Sequence, residues 1–283
     1  MDKLRIAFQG ELGAYSELAA REFFSQPIMV RPLASFEEVF NSVESRDCSH
    51  GVVPIENSLT GSIHENYDLL LAHNLFITGE IKLRIVHNLI VNPGVRLEQI
   101  KRVYSHPQAL SQCKNFIRSL RTAEPVPVYD TAAAVRLVKT QDLTDAAAIA
   151  SAQAAIDYGL VILKSEIEDN HKNFTRFIII SPERGEMEGD CKTSIVFSTQ
   201  NIPGALFKSL SVFALRDINL LKIESRPLHG NPWQYLFYLD FDGSLQQARC
   251  QRAIEDLKEI TTLFRVLGSY PKGKQIQGKL HKR

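Results

Sequence analysis

Cysteine is sparse and scattered in this chain. The four thiols, Cys48, Cys113, Cys191 and Cys250, stand far apart, and no pair has the spacing of a metal site. A chain of 283 residues needs no disulfide framework, so free buried thiols in a reducing cytosol are expected. Excess charge is missing too. The formal net charge of +1 gives no overall field to attract nucleic acid or a membrane surface. Long apolar runs are absent. Met1 to Ile6 runs straight into a strand without the apolar stretch of a signal peptide, and no span is long enough to cross a bilayer. A cytoplasmic location is expected on this basis, and there the glycosylation pattern Asn173-Phe174-Thr175 carries no meaning. Nucleotide and metal signatures are lacking as well. There is no Gly-x-Gly-x-x-Gly and no phosphate-loop lysine motif, and His64-Glu65 has no second histidine to make a zinc helix.

What remains is an ordinary globular composition, 44% hydrophobic and 23% charged, long enough for roughly two domains. From Leu4 to Ile180 short apolar runs alternate with helical patterns. Strands are expected at Arg5–Phe8, Gly51–Ile55, Ile85–Val91, Arg102–Tyr104, Val126–Tyr129 and Ala147–Ala150. Helices are expected at Ala14–Phe24, Ile63–Leu71, Pro107–Ser119 and Thr131–Lys139. Such alternation argues for parallel sheets with helices on their faces, and for ligands at the strand ends where helices begin. Polar clusters fall at those points: Gly13–Ser16, Glu56–Gly61 and Ser105–Gln108. Each is either a plain helix cap or an anion-binding helix start.

After the polar link Ser181–Asp190 a second unit begins. Its order is strand (Thr193–Ser198), helix (Gly204–Leu215), strand (Leu220–Ser225), strand (Gln234–Phe241), helix (Leu245–Ile260), strand (Leu263–Gly268). This is the βαββαβ order of ferredoxin-like domains. The Lys-rich segment 272–283 is expected to be a disordered tail.

The most informative stretch is Asn173 to Ile180. Ile178–Ile180 call for burial on a sheet, and Arg176 stands at the mouth of that strand. Either its tip reaches solvent or an anionic group meets it.

Three segments together resemble the prephenate dehydratase family with its C-terminal ACT domain. They are Asn173-Phe174-Thr175-Arg176-Phe177, Gly204-Ala205-Leu206-Phe207 and Glu224-Ser225-Arg226-Pro227. Val53–Ser58 and Ser105–Gln108 add to the likeness, which covers Ile6 to about Tyr270. Phe207 stands where the family has valine, an apolar exchange. The chain starts at its first strand, with no helical chorismate mutase ahead of it, so a monofunctional dehydratase is expected. Gly61–Leu70 and Phe264–Pro271 also resemble the plant-type arogenate dehydratases.

The resemblance implies a two-lobed, periplasmic-binding-protein-like α/β catalytic domain over residues 1–183. Lobe 1 is expected at about 1–80 plus 162–183 and lobe 2 at about 81–161. An α+β ACT domain is expected over 191–271. It implies decarboxylating dehydration of prephenate to phenylpyruvate, a hydro-lyase reaction that needs no cofactor or metal, with arogenate as the alternative substrate. Thr175 is then the hydrogen-bond donor to the departing oxygen. His106 is either an acid or a capping imidazole. Arg176 is expected to hold the side-chain carboxylate, with the ring carboxylate near Phe177. Asn57, Ser105 and Gln112 are expected to complete the catalytic lining, with Gln108 and Gln112 (i, i+4) facing one cleft. Ser16, Glu56, Ser58, Thr60, Gly61 and His106 are expected to bind substrate.

For the second unit the resemblance implies L-phenylalanine as effector and a homodimer or homotetramer. Its expected contacts are Gly204, Ala205, Leu206, Asn219, Leu220, Glu224, Ser225, Arg226 and Pro227. A non-catalytic amino-acid sensor is the rival from another class. No nucleic-acid or membrane partner is expected.

Overall fold

The chain builds one sheet, leaves it to build a second, and returns to finish the first. The computed structural model describes residues 4–228, 230 and 233–277. The first lobe begins β1 (Leu4–Gln9), α1 (Tyr15–Phe23), β2 (Ile28–Leu33), α2 (Phe36–Glu44), β3 (His50–Asn57), β4 (Gly61–Ser62), α3 (His64–Ala72) and β5 (Phe76–Arg84). The second lobe holds β6 (Asn88–Val91), β7 (Arg102–Ser105), α4 (Pro107–Gln112), α5 (Lys114–Ser119), β8 (Glu124–Pro127), α6 (Thr131–Thr140), β9 (Ala146–Ala150), α7 (Ala152–Tyr158) and β10 (Val161–Lys164). Strand β11 (Phe174–Ser181) returns to the first lobe. The changeovers fall between Arg84 and Asn88 and between Lys164 and Phe174, later in both cases than the expected lobe bounds.

Among the described residues the first sheet has the order β16 (Gln275–Gln277)-β5-β11-β3-β1-β2, with β4 on β3, and the second has β10-β6-β9-β7-β8. The expected parallel pairing holds for β1 with β2 and β3, and for β7 with β8 and β9. It fails where the chain crosses between lobes. β11 runs antiparallel to β3 and β5, and β6 antiparallel to β9 and β10. These strands enter their sheets from the other lobe, with no crossover helix to return them in the parallel sense. The expected helix over 107–119 is broken at Cys113 (φ −114°). The Gln112 carbonyl there accepts from the Asp169 N–H, 2.7 Å away.

The second unit comprises β12 (Cys191–Ser198), α8 (Ala205–Ala214), β13 (Leu220–Pro227), β14 (Tyr235–Asp242), α9 (Ala248–Glu259) and β15 (Leu263–Pro271). Its sheet order β13-β14-β12-β15 is the ferredoxin-like arrangement. Both helices pack on one face, where Phe197, Phe213, Phe241 and Leu257 are buried. The other face lies on the first lobe, burying Val196, Leu236, Tyr238 and Tyr270 with Val53, Ile178 and Ile180. The fit is tight: a Cβ on Gly268 would fall 2.1 Å from the Ile77 carbonyl oxygen.

The expected disordered tail is part of the structure for half its length. Residues Gln275–Gln277 form β16, parallel to β5 at the sheet edge. Residues 278–283 lie outside the described residues. All four cysteines are buried and free.

Candidate active site

Strands β3 and β11 lie side by side, with Asn57 opposite Thr175 and Glu56 opposite Arg176. Successive strand side chains point to opposite faces, so the two pairs serve different neighbours. Asn57, Thr175 and Phe177 face a cleft of about 370 Å³ between the lobes. Helix α1 contributes Tyr15 and Ser16, and the second lobe contributes His106, Gln108, Gln112 and Asp130. Ile63, Ile85, Pro54 and Phe36 supply apolar walls.

A chain of hydrogen bonds runs along the cleft floor. The Asn57 amide donates to Thr175 Oγ1 (3.0 Å) and to Asn173 Oδ1 (2.8 Å). Asn173 Nδ2 donates to Gln112 Oε1 (3.0 Å), which also meets His87 Nε2 at 2.9 Å. His87 Nδ1 lies 3.0 Å from the Tyr15 hydroxyl. A carbonyl oxygen accepts only, so with Gln112 in this orientation the His87 proton is on Nε2, while the Tyr15 hydroxyl donates to the Val86 carbonyl at 2.6 Å. Burial lowers the His87 pKa and keeps the ring neutral; burial likewise drives the Tyr15 pKa well up, so its hydroxyl keeps its proton. Two donors are left over. Thr175 Oγ1 accepts from Asn57, and its own hydrogen has no acceptor among the described residues. Gln112 Nε2 is buried with no partner among the described residues.

The lobes also meet directly. Gln108 Nε2 donates to Thr60 Oγ1 (2.9 Å), and the Tyr129 hydroxyl donates to Glu11 (2.6 Å). Thr60 in turn donates through N–H and hydroxyl to Asn57 Oδ1. His106 lines the cleft, and of the two expected roles the structure shows the capping one: its Nδ1 accepts the Gln108 N–H (3.2 Å) at the start of α4. Burial lowers its pKa.

On the opposite face stands a buried ionic cluster. Arg176 Nη1 is 2.7 Å from Asp240 and 3.4 Å from Glu80, and Nη2 is 3.2 Å from Glu56. Lys192 Nζ lies 2.8 Å from both Glu80 and Asp240. Ser194 donates to Asp240 at 2.6 Å. Burial opposes the charge on Arg176, but Asp240, Tyr270 and Glu80 outweigh it and hold the guanidinium protonated. Burial would raise the Asp240 pKa, yet Lys192 and Arg176 pull it well below the usual carboxylate range. The expectation that Arg176 binds substrate is therefore corrected: strand alternation turns it away from the cleft and into the second unit. Glu56 goes with it, paired to Arg176 and to Lys222 (3.1 Å).

Other expected residues serve as frame. Ser105 is fully buried and its hydroxyl donates to the Ile149 carbonyl (2.6 Å). Ser58 donates to the Lys172 carbonyl (3.0 Å) and accepts the Phe174 N–H. Gly61 (φ +85°) pairs with Asn57 on β4. The structure also brings in His87, Tyr15, Asn173 and Asp130, which were not among the expected site residues. Tyr15 and Asn173 lay inside motifs already singled out. Nothing marked His87 or Asp130 in the sequence.

In the second unit Gly204 (φ +79°) caps α8, where an added Cβ would meet open space. Ala205 and Leu206 follow in the first turn. Asn219 and Leu220 stand at one end of β13, and Glu224 to Pro227 at the other. The latter strand end is not a free ion pair. Glu224 accepts from Ser62 (2.6 Å) and faces His64 (3.2 Å), while Arg226 pairs with Asp68 of α3. Ser225 and Pro227 alternate away from the lobe, exposed.

Comparison with known proteins agrees with this layout. The family model described as prephenate dehydratase matches residues 6–185. Arogenate dehydratase/prephenate dehydratase 2 of Arabidopsis thaliana, a chloroplastic protein, is 48% identical over 95% of this chain and 73% of its own length. The structure of prephenate dehydratase from Arthrobacter aurescens in complex with L-Phe superimposes with a TM-score of 0.87 at 32% identity, over 95% of this chain and 90% of that one. A structure described as GqqA, a novel type of quorum quenching acylase, gives the same TM-score at 33% identity, over 95% and 98% of the two chains. The cytoplasmic expectation is corrected here. Several related Arabidopsis thaliana enzymes are chloroplastic and point to a plastid, and the missing apolar run at Met1 does not bear on that address. Sequence similarity and shared architecture cover the same residues that form the cleft: the chain belongs to the prephenate dehydratase family, hydro-lyases of the dehydration step in phenylalanine biosynthesis.

Proposed function

We propose that this cleft carries out the decarboxylating dehydration, on prephenate to give phenylpyruvate or on its amino counterpart arogenate to give phenylalanine. The carrying observation is Thr175, whose oxygen is occupied by Asn57 and whose hydrogen is left to point at substrate. As the ring carboxylate leaves as carbon dioxide, its bonding pair enters the ring. The opposite carbon–oxygen bond breaks, and the departing hydroxide takes a proton to become water. Aromatisation drives the step, so the protein's task is to orient the ring and help the oxygen leave. A positioned donor is worth ~10²–10⁴-fold. The free Gln112 amide and the first N–H groups of α1, at Tyr15 and Ser16, are the donors available to a substrate carboxylate. Phe177 and Ile85 give the leaving carboxylate an apolar wall, which favours the neutral product.

Residues 1–183 form the catalytic domain in this reading and 191–271 an ACT domain that senses phenylalanine. Two features support it: the ferredoxin-like sheet order, and the L-Phe bound in the Arthrobacter aurescens structure. The effector would act through the side chains that cross to the catalytic strands, Arg176 to Asp240 and Glu56 to Lys222. Strand β13 is a sheet edge with Leu221 and Ile223 exposed, a surface suited to a second copy in a homodimer or homotetramer. An acylase reading lacks comparable support. It calls for a nucleophile activated by a base, and among the described residues no serine, threonine or cysteine of the cleft bonds to a histidine.

Turnover of prephenate and arogenate by the wild type and by Thr175→Ala tests the assignment. Loss in the variant supports it, and wild-type rates in the variant refute it. Phenylalanine binding without turnover of either compound by the wild type would favour the sensor.

A further inference from the structure

The cleft has an unusual charge inventory for its task. Prephenate carries two carboxylates and no cation, yet no lysine or arginine is among the described residues lining the cleft. One carboxylate is, Asp130. It sits at the start of α6, where Oδ1 accepts the Ala133 N–H at 2.9 Å. Oδ2 is turned the other way, 3.0 Å from where a Cβ on Gly10 would lie. Gly10 (φ +114°) thus lets the backbone pass close to that oxygen, where any side chain would crowd it. No cation pairs with Asp130 among the described residues. The nearby Arg136 is taken by Glu11 (3.0 Å), and the facing ring of His106 is held uncharged by burial. Burial raises the Asp130 pKa, with the Glu11 charge adding to it, against the N–H groups of Ala133 and Ala132. A carboxylate so placed gains from a cationic ligand group.

Capping alone does not account for a carboxylate here. Serine and asparagine cap as well as aspartate and would not repel a dianion. Arogenate differs from prephenate at one point: an ammonium replaces the side-chain keto group. We propose that Asp130 selects the amino substrate, its Oδ2 accepting the ammonium of arogenate where the keto oxygen of prephenate is repelled. The inference rests on the dehydratase reading of the cleft and goes beyond it by naming the residue that sets substrate preference.

The test is kcat/KM for both compounds with the wild type, Asp130→Asn and Asp130→Ser. Both replacements keep the helix cap, so loss of the cap does not mimic loss of the charge. The wild type is expected to favour arogenate. Both variants should lose about 10–100-fold on arogenate, mainly through KM, with prephenate unchanged or improved, because a charge-paired group left without its partner costs that order of affinity. A wild type that favours prephenate overturns the inference. So does an equal fall for both substrates, or an unchanged ratio. Wild-type enzyme that turns over neither compound fails the dehydratase reading itself, a separate result from a ratio that does not move.

Discussion

The two faces of the β3–β11 pair differ in almost every physical respect, although their residues alternate along the same strands. The cleft face holds neutral hydrogen-bonding groups, Asn57 and Thr175, in a chain of amides and a neutral imidazole. The opposite face holds full charges, Arg176 and Glu56, locked into carboxylates and a lysine from the second unit. A neutral donor can let go of product, and a buried ion pair cannot easily let go of anything. In the proposed reading one pair of strands carries chemistry on one side and the contact to the second unit on the other. Thr175 and Arg176 share a peptide bond, so in that reading a shift of the docked sheet would move the backbone that aims the Thr175 hydroxyl.

That division can be broken from either side. The largest effect is expected from Thr175→Ala, which should lower kcat by about 10²–10⁴-fold and leave the urea midpoint close to wild type. Steady-state assays with a denaturation curve check both halves. Next comes Arg176→Met. It leaves Asp240 and Glu80 buried with Lys192 as their shared remaining partner and Lys82 3.9 Å from Glu80, and removing one member of a buried pair costs about 3–5 kcal/mol. Chemical unfolding of the variant should show that loss, and a midpoint within error of wild type would mean the cluster contributes little. A smaller effect is expected from Glu224→Gln, which weakens the contacts to Ser62, His64 and Lys222 without touching the cleft. Turnover without effector should hold, while the shift caused by phenylalanine, typically about 5–150-fold for such coupling, should shrink. An unchanged response would take Glu224 out of the coupling route.

The mildest prediction concerns pH. Burial lowers the pKa of His50, His87 and His106. The unfolded chain therefore takes up these protons first, at its ordinary histidine pKa of about 6.5. Stability should fall as pH drops below that value and level off below the folded pKa values. Urea midpoints at pH 7.5 and 5.5 test the sign, and a protein more stable at pH 5.5 would contradict it.

Much of this layout was legible in the sequence. The strand and helix order of the second unit can be read from period-two and helical patterns, and the polar clusters at strand ends do converge on the cleft. The failures have physical causes. Arg176 looked like a substrate clamp because a guanidinium at the mouth of an apolar strand calls for an anion; the anions that meet it are Asp240, Glu80 and Glu56, on the face opposite Thr175. β16 was missed because three residues added to an edge have no periodic signal of their own. Asp130 went unmarked because an aspartate just before a helix is an ordinary residue type there; only the fold shows that this cap also lines the cleft.

The most direct test of the division between faces is the substrate saturation curve of Arg176→Lys. Lysine keeps the charge for Asp240 and Glu80 but loses the planar fork that would bind a substrate carboxylate. KM within about threefold of wild type is predicted, since the guanidinium faces the second unit. A KM raised by two orders of magnitude in a variant of unchanged stability would put Arg176 back in the cleft and contradict the account.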